Sequence, residues 1–162
     1  MVTAAPTRER AYEVAASVVD PEIPVLTIAD LGVLRDVTVD EAGSVEVTIT
    51  PTYSGCPALD TIQSDLRSAV RDAGFPQVRV RTTLTPAWTT DDMTDDARRK
   101  LHAYGIAPPG PAAGPVPVAI GVRCPHCGSA ETRLQSRFGS TACKALYACR
   151  ACAEPFDHFR AL

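Results

Sequence analysis

The chain has 162 residues, 45% of them hydrophobic and 22% charged, with a net charge of −3. That length suits one ordinary domain with a small appendage rather than two full domains. No apolar run is long enough to cross a bilayer, and the start of the chain, "MVTAAPTRER", lacks the apolar centre of a signal peptide, so a cytoplasmic protein is expected.

"TRERAYEVAASVVD" reads as a first helix, with Thr7 as its N-cap and Ala11, Val14, Ala15 and Val18 as its apolar stripe. Asp20-Pro21 ends it, because the residue before a proline avoids helical geometry. "DVTVDEAGSVEVTIT" alternates like two strands joined by a turn at Asp40–Gly43. "PALDTIQSDLRSAVRDAG" is the clearest helix. Pro57 suits its first position, Leu59, Ile62, Leu66, Ala69 and Val70 face one way, and Gly74 is placed to cap its end.

"QVRVRTTLT" follows as a strand, and "TTDDMTDDARRKLHAYG" as a helix whose acidic start and basic finish suit the helix dipole. The expected fold class is therefore α+β: a small two-layer domain over residues 1–104, with helices on one face of a sheet. Five prolines between Pro108 and Pro117 mark residues 105–119 as a semi-stiff linker, and residues 120–162 form a second module.

That module holds "CPHCGS" and "CRAC", with twenty-one residues between Cys127 and Cys149. Cys124, Cys127, Cys149 and Cys152 make two Cys-x-x-Cys turns able to place four sulfurs around Zn²⁺, and Gly128 sits where such a turn needs a positive φ. "TRLQSRF", "KALYA" and "EPFDHFRAL" supply short strands, with Phe156 and Phe159 as a small core, so a β zinc ribbon is expected. A segment of this size needs the metal for its folding energy, and four protein ligands leave no open position for catalysis. An iron–sulfur cluster or a redox dithiol pair could occupy the same four cysteines, and Cys143 could replace one of them. His126 and His158 are read as exposed or packing residues.

The other notable cysteine stands far upstream, in "TPTYSGCPALDTI". Cys56 lies just before a helix, where free amides and the helix dipole favour a thiolate, and Gly55 leaves room beside it. The opposing reading is a small buried hydrophobe. None of His102, His126 and His158 lies near it in sequence, so a Cys–His catalytic pair has no local support. Asp20 and Glu22, flanking a proline, are candidate helpers that could join a thiolate in holding a metal or a partner, or could only cap a turn and face solvent. Residues 1–119 carry 10 basic and 16 acidic side chains, and residues 120–162 carry 6 and 3, an imbalance too small to make nucleic acid the expected partner.

"DPEIPVLTIADLGVLRDV" together with "TPTYSGCPALDTI" resembles the metal–sulfur cluster assembly family, the small α/β proteins akin to SufT, over about residues 8–104. With the linker and "CPHCGS…SRFGSTACKALYACRACAEPFDHF", nearly the whole chain is similar to the PaaD (PaaJ) family of phenylacetyl-CoA epoxidase systems. The resemblance implies a non-catalytic accessory factor in aerobic phenylacetate breakdown, with Cys56 as the thiol that handles iron or a cluster. It further implies structural zinc, transient iron or an iron–sulfur cluster, and the reductase or oxygenase subunits as partners, with a homodimer among the allowed assemblies. The alternative is a structural or regulatory component of the oxygenase without metal transfer. The chain lacks both the Glu-x-x-His motifs of a di-iron site and a dinucleotide-binding glycine fingerprint.

Overall fold

A computed structural model describes residues 7–112 and 121–161. The chain divides into two compact units between Trp88 and Thr89.

The first unit opens with helix α1, Arg8–Ala16. Thr7 caps it as expected, its hydroxyl accepting from Arg10 N–H at 3.2 Å. Strands β1, Leu34–Val39, and β2, Val45–Ile49, pair antiparallel around a turn in which the Asp40 carboxylate accepts from Ala42 and Ser44 N–H. Helix α2, Leu59–Asp72, then crosses over to β3, Val78–Thr82, which pairs parallel to β2. The sheet order is β1-β2-β3. Val45, Val47 and Ile49 of β2 are buried, as are Ile62, Leu66 and Val70 of α2 and Ala11 and Ala15 of α1. The alternation in β2 and the i, i+4 stripe of α2 together create this core. Glu46 carries the opposite parity and meets Arg81 Nε at 3.7 Å.

Two local expectations change. Helix α2 begins at Leu59 with Ala58 at its N-cap, so Pro57 stands outside it rather than at its first position. The turn made by Leu59 N–H to Cys56 O delays the helix. Gly74, with φ +97°, ends it as expected.

In the second unit, the expected third helix is split. A 3-10 turn at Thr90–Asp92 is followed by Met93 in extended geometry and then by helix α3, Asp95–Ala103. Two competing caps cause the break. Thr89 and Asp92 cap each other reciprocally, and Thr94 Oγ1 accepts from Ala97 N–H at 3.0 Å.

Part of the expected linker is a strand. Ile106–Ala107 form β4, which pairs parallel to Asp157 and His158 of β7. This pairing ties the segment after α3 to the ribbon, and the division at Trp88 falls earlier than the expected boundary at residue 104. Residues 113–119 of the expected linker lie outside the described residues. Strands β5, Thr132–Ser136, β6, Lys144–Cys149, and β7, Pro155–Phe159, complete a sheet of order β4-β7-β6-β5. Phe156 and Phe159 are buried in it.

Candidate metal centre and thiol site

The two Cys-x-x-Cys turns are built alike. Cys124 N–H donates to Ser129 O at 2.9 Å, and Cys149 N–H donates to Glu154 O at 2.9 Å. Each turn closes on a left-handed residue, Gly128 at φ +76° in the first and Ala153 at φ +63° in the second. This brings Cys124 Sγ to 3.8 Å from Cys152 Sγ and Cys127 Sγ to 3.6 Å from Cys149 Sγ, and all four sulfurs lie within 4.8 Å of one another. Metal–sulfur bonds of about 2.3 Å in a tetrahedron put sulfurs roughly 3.8 Å apart, so the set fits a single ion. A multi-iron cluster needs its thiolates spread around an inorganic core. No disulfide joins the cysteines.

The electrostatics suit a cation. The Cys152 and Ala151 amides hydrogen-bond Cys149 Sγ and pull this thiol down to about 7. Although the Glu154 amide favours ionised Cys152, burial and the sulfurs of Cys149, Cys127 and Cys124 push that thiol up to about 12. Four adjacent thiolates repel one another, and a bound cation removes that conflict.

Cys143 stands apart from this group. It is buried in the turn before β6, with its Sγ 3.0 Å from Thr141 Oγ1. His126 is exposed and sits edge-on to Phe156 at 6.5 Å. His158 has its Nδ1 3.2 Å from Ala107 O, and burial holds its pKa down. Among the described residues, the group able to hold a metal contains only the four expected cysteines.

In the first unit, Cys56 occupies the corner between β2 and α2. Its N–H donates to Tyr53 O and its carbonyl accepts from Leu59 N–H, both at 3.2 Å. The side chain is half-buried. Burial is the largest influence on the thiol and pushes its pKa up; the Ala58 amide pulls it down; Glu22 and then Asp20 push it up again, and a hydrogen bond with Thr52 opposes them. The net direction is upward, contrary to the lowering expected from a helix N-terminus. The helix starts three residues later, and the corner is partly enclosed.

Asp20 and Glu22 lie within electrostatic reach of Cys56, each raising the thiol's pKa. Asp20 is buried, and its Oδ1 accepts from Glu22 N–H at 2.8 Å and Ile23 N–H at 2.9 Å. It fixes the turn that presents Glu22. Thr52 is a contact that the sequence reading missed; its place four residues before Cys56, in the same corner, is the only signal for it.

Comparison with known proteins follows the same division. Residues 8–81 match the family described as iron–sulfur cluster assembly protein, and residues 109–160 match the PaaD zinc beta ribbon domain. A putative 1,2-phenylacetyl-CoA epoxidase subunit of Escherichia coli is 49% identical over 159 residues, covering 98% of this chain and 96% of that protein. An Fe-S protein maturation auxiliary factor of Porphyromonas gingivalis is 38% identical over 59% of this chain and 90% of its own length. A domain of unknown function, DUF59, from Bacillus anthracis superposes with a TM-score of 0.54 at 29% identity, covering 58% of this chain and 90% of that one.

Proposed function

The chain belongs to the PaaD family of phenylacetyl-CoA epoxidase subunits, and on that premise we propose that it is an accessory maturation factor that delivers iron or an iron–sulfur cluster to the reductase or oxygenase subunits of such a system. The supporting observation is that the Glu22 and Asp20 carboxylates lie within electrostatic reach of the half-buried Cys56 thiol. It occurs on the part of the chain that matches the iron–sulfur assembly family.

Iron is cargo in this reading. A thiol whose pKa is raised keeps its proton at neutral pH and is a poor ligand until a cation arrives. Binding then releases that proton to solvent as the iron–sulfur bond forms. The Glu22 and Asp20 charges that oppose the bare thiolate favour the incoming cation, so both effects come from the same two groups. Asp20 is committed to two amides, which leaves Glu22 better placed to touch the cargo.

Cys124, Cys127, Cys149 and Cys152 would hold a resident zinc. Zinc supplies folding energy to the ribbon and, with four thiolates around it, offers no position to a substrate. We place the protein in the cytoplasm, where thiols stay reduced. No helix among the described residues is long and apolar enough to cross a membrane.

The second reading, a structural or regulatory component without metal transfer, draws support from the protonated, half-buried Cys56. Co-production of the reductase and oxygenase with this chain or with Cys56→Ser, followed by anaerobic purification and iron quantification, separates the two. Delivery predicts iron-poor clients with the variant. Full iron loading would sink it.

A further inference from the structure

We propose that the open face of the ribbon sheet docks an acidic segment of a partner protein, one that carries an aromatic or aliphatic side chain between its carboxylates. A cleft of about 310 Å³ crosses this face. Ala145 and Tyr147 of β6 and His158 of β7 form its floor, with Leu134 and Arg137 on one flank and Arg160 on the other. Strand register puts these side chains together. Leu134 pairs with Tyr147, Ala145 pairs with His158, and alternation turns residues 145 and 147 to one side. Ala145 is the shortest of them and leaves the floor low. Tyr147 is fixed, its ring stacked on Phe156 at 5.8 Å and edge-on to His158 at 5.5 Å.

Charge selects the partner. Two arginines line the cleft, and among the described residues no carboxylate does. Asp157, next to His158 in sequence, has the opposite parity and approaches Lys144 Nζ at 3.9 Å instead. The Arg137 guanidinium is exposed and, among the described residues, has no hydrogen-bond or ion-pair partner. A guanidinium in that state suits a carboxylate, which it can hold through two parallel hydrogen bonds. Two arginines neutralise only two phosphates, too few to hold a nucleic-acid strand.

Leu134 and Phe138 supply the apolar part of the contact, being 46% and 65% exposed. Arg160 connects the cleft to Phe138, its guanidinium carbon standing 5.5 Å from the centre of that ring. The contact holds the phenyl ring beside the cleft in advance of binding. Large apolar side chains exposed together beside arginines mark a protein contact, and a small anion would leave them unused. The surface lies wholly within the second unit and does not depend on Cys56 carrying iron.

The backbone amide resonances of Leu134, Arg137 and Tyr147 report on the face in the full-length protein as purified. The probes are the end-blocked peptides EDFDE, QNFNQ and EDADE, and oligothymidine. Expected are saturable shifts with EDFDE, at an affinity roughly fivefold above that of QNFNQ, the upper scale of one exposed ion pair. EDADE, which lacks the anchor, should also bind more weakly. Arg137→Glu should weaken EDFDE binding by at least about fivefold. Arg133 is exposed and has the opposite parity to Leu134, so Arg133→Glu makes the same charge change away from the cleft and should alter binding by less than about twofold. Leu134→Ser should reduce the preference for EDFDE over EDADE. Unshifted amides elsewhere in the ribbon show that each variant is folded. The proposal is overturned if EDFDE gives no saturable shift, if QNFNQ or EDADE binds as tightly, or if Arg133→Glu weakens binding as much as Arg137→Glu. Oligothymidine moving the same resonances at lower concentration than EDFDE would reassign the face to nucleic acid. Movement with protein concentration alone would reassign it to a second copy of the chain, and either result overturns the proposal.

Discussion

Cys149 N–H donates to Glu154 O at 2.9 Å, repeating five residues apart the bond that Cys124 N–H makes to Ser129 O. The two turns around the four sulfurs thus share one backbone geometry, although the first closes on Gly128 and the second on Ala153, both left-handed. A non-glycine residue there carries a steric cost. Ala153→Gly should stabilise the metal-loaded protein by about 0.5–1 kcal/mol, the left-handed penalty less the added freedom of the unfolded chain. Gly128→Ala, where an added Cβ meets nothing within 4 Å, should lose about 1 kcal/mol through backbone strain alone. Thermal unfolding of the two variants checks both; a destabilising Ala153→Gly would contradict the shared geometry.

Zinc should be present at one ion per chain, held by Cys124, Cys127, Cys149 and Cys152. Chelation should melt the ribbon strands, because the core around Phe156 is too small to hold them unaided. The first unit should stay folded, seen as unchanged Trp88 emission, since Trp88 is fixed within it to Leu31. Loss of the Trp88 signal with the metal would show that the units fold as one.

Cys56 should react with iodoacetamide more slowly than a free cysteine at neutral pH, because its pKa lies above the ordinary value and little thiolate is present. Glu22→Gln removes one of the charges that raise that pKa and should quicken alkylation by roughly twofold at low ionic strength. The sign is set by the raised pKa: the gain appears below it, where thiolate is scarce, and vanishes as pH rises through it. An unchanged rate in Glu22→Gln at pH 7 would remove Glu22 from the site.

Asp20 and Glu22 should separate in stability measurements. Asp20→Ala leaves the amides of Glu22 and Ile23 without their acceptor and should cost about 1–2 kcal/mol in denaturant unfolding. Glu22→Gln keeps the side chain's shape and should stay within about 0.5 kcal/mol of the parent. Equal losses would mean that both carboxylates serve the turn.

The elements were legible wherever one local rule governed them. Thr7 caps α1, Gly74 ends α2, and the alternation of β2 gives Val45, Val47 and Ile49 to the core, since each depends on spacing alone. Reading failed where two local rules competed. The Thr89–Asp92 and Thr94–Ala97 caps lie so close that they cut one expected helix into a 3-10 turn and α3. It also failed where pairing came from far along the chain: Ile106 and Ala107, next to prolines, resemble linker, yet β7 recruits them as β4.

The candidate site divides along the same line. Sequence by itself singled out the four clustered cysteines, because a Cys-x-x-Cys turn carries its geometry in four consecutive residues and needs only a second copy to bring four sulfurs together. It also singled out Cys56, Asp20 and Glu22 as residues with chemistry to offer. Only the tertiary structure decided what they do to one another. The thiol's pKa depends on enclosure and on carboxylates more than thirty residues away, and these outweigh the local amides that the sequence displays.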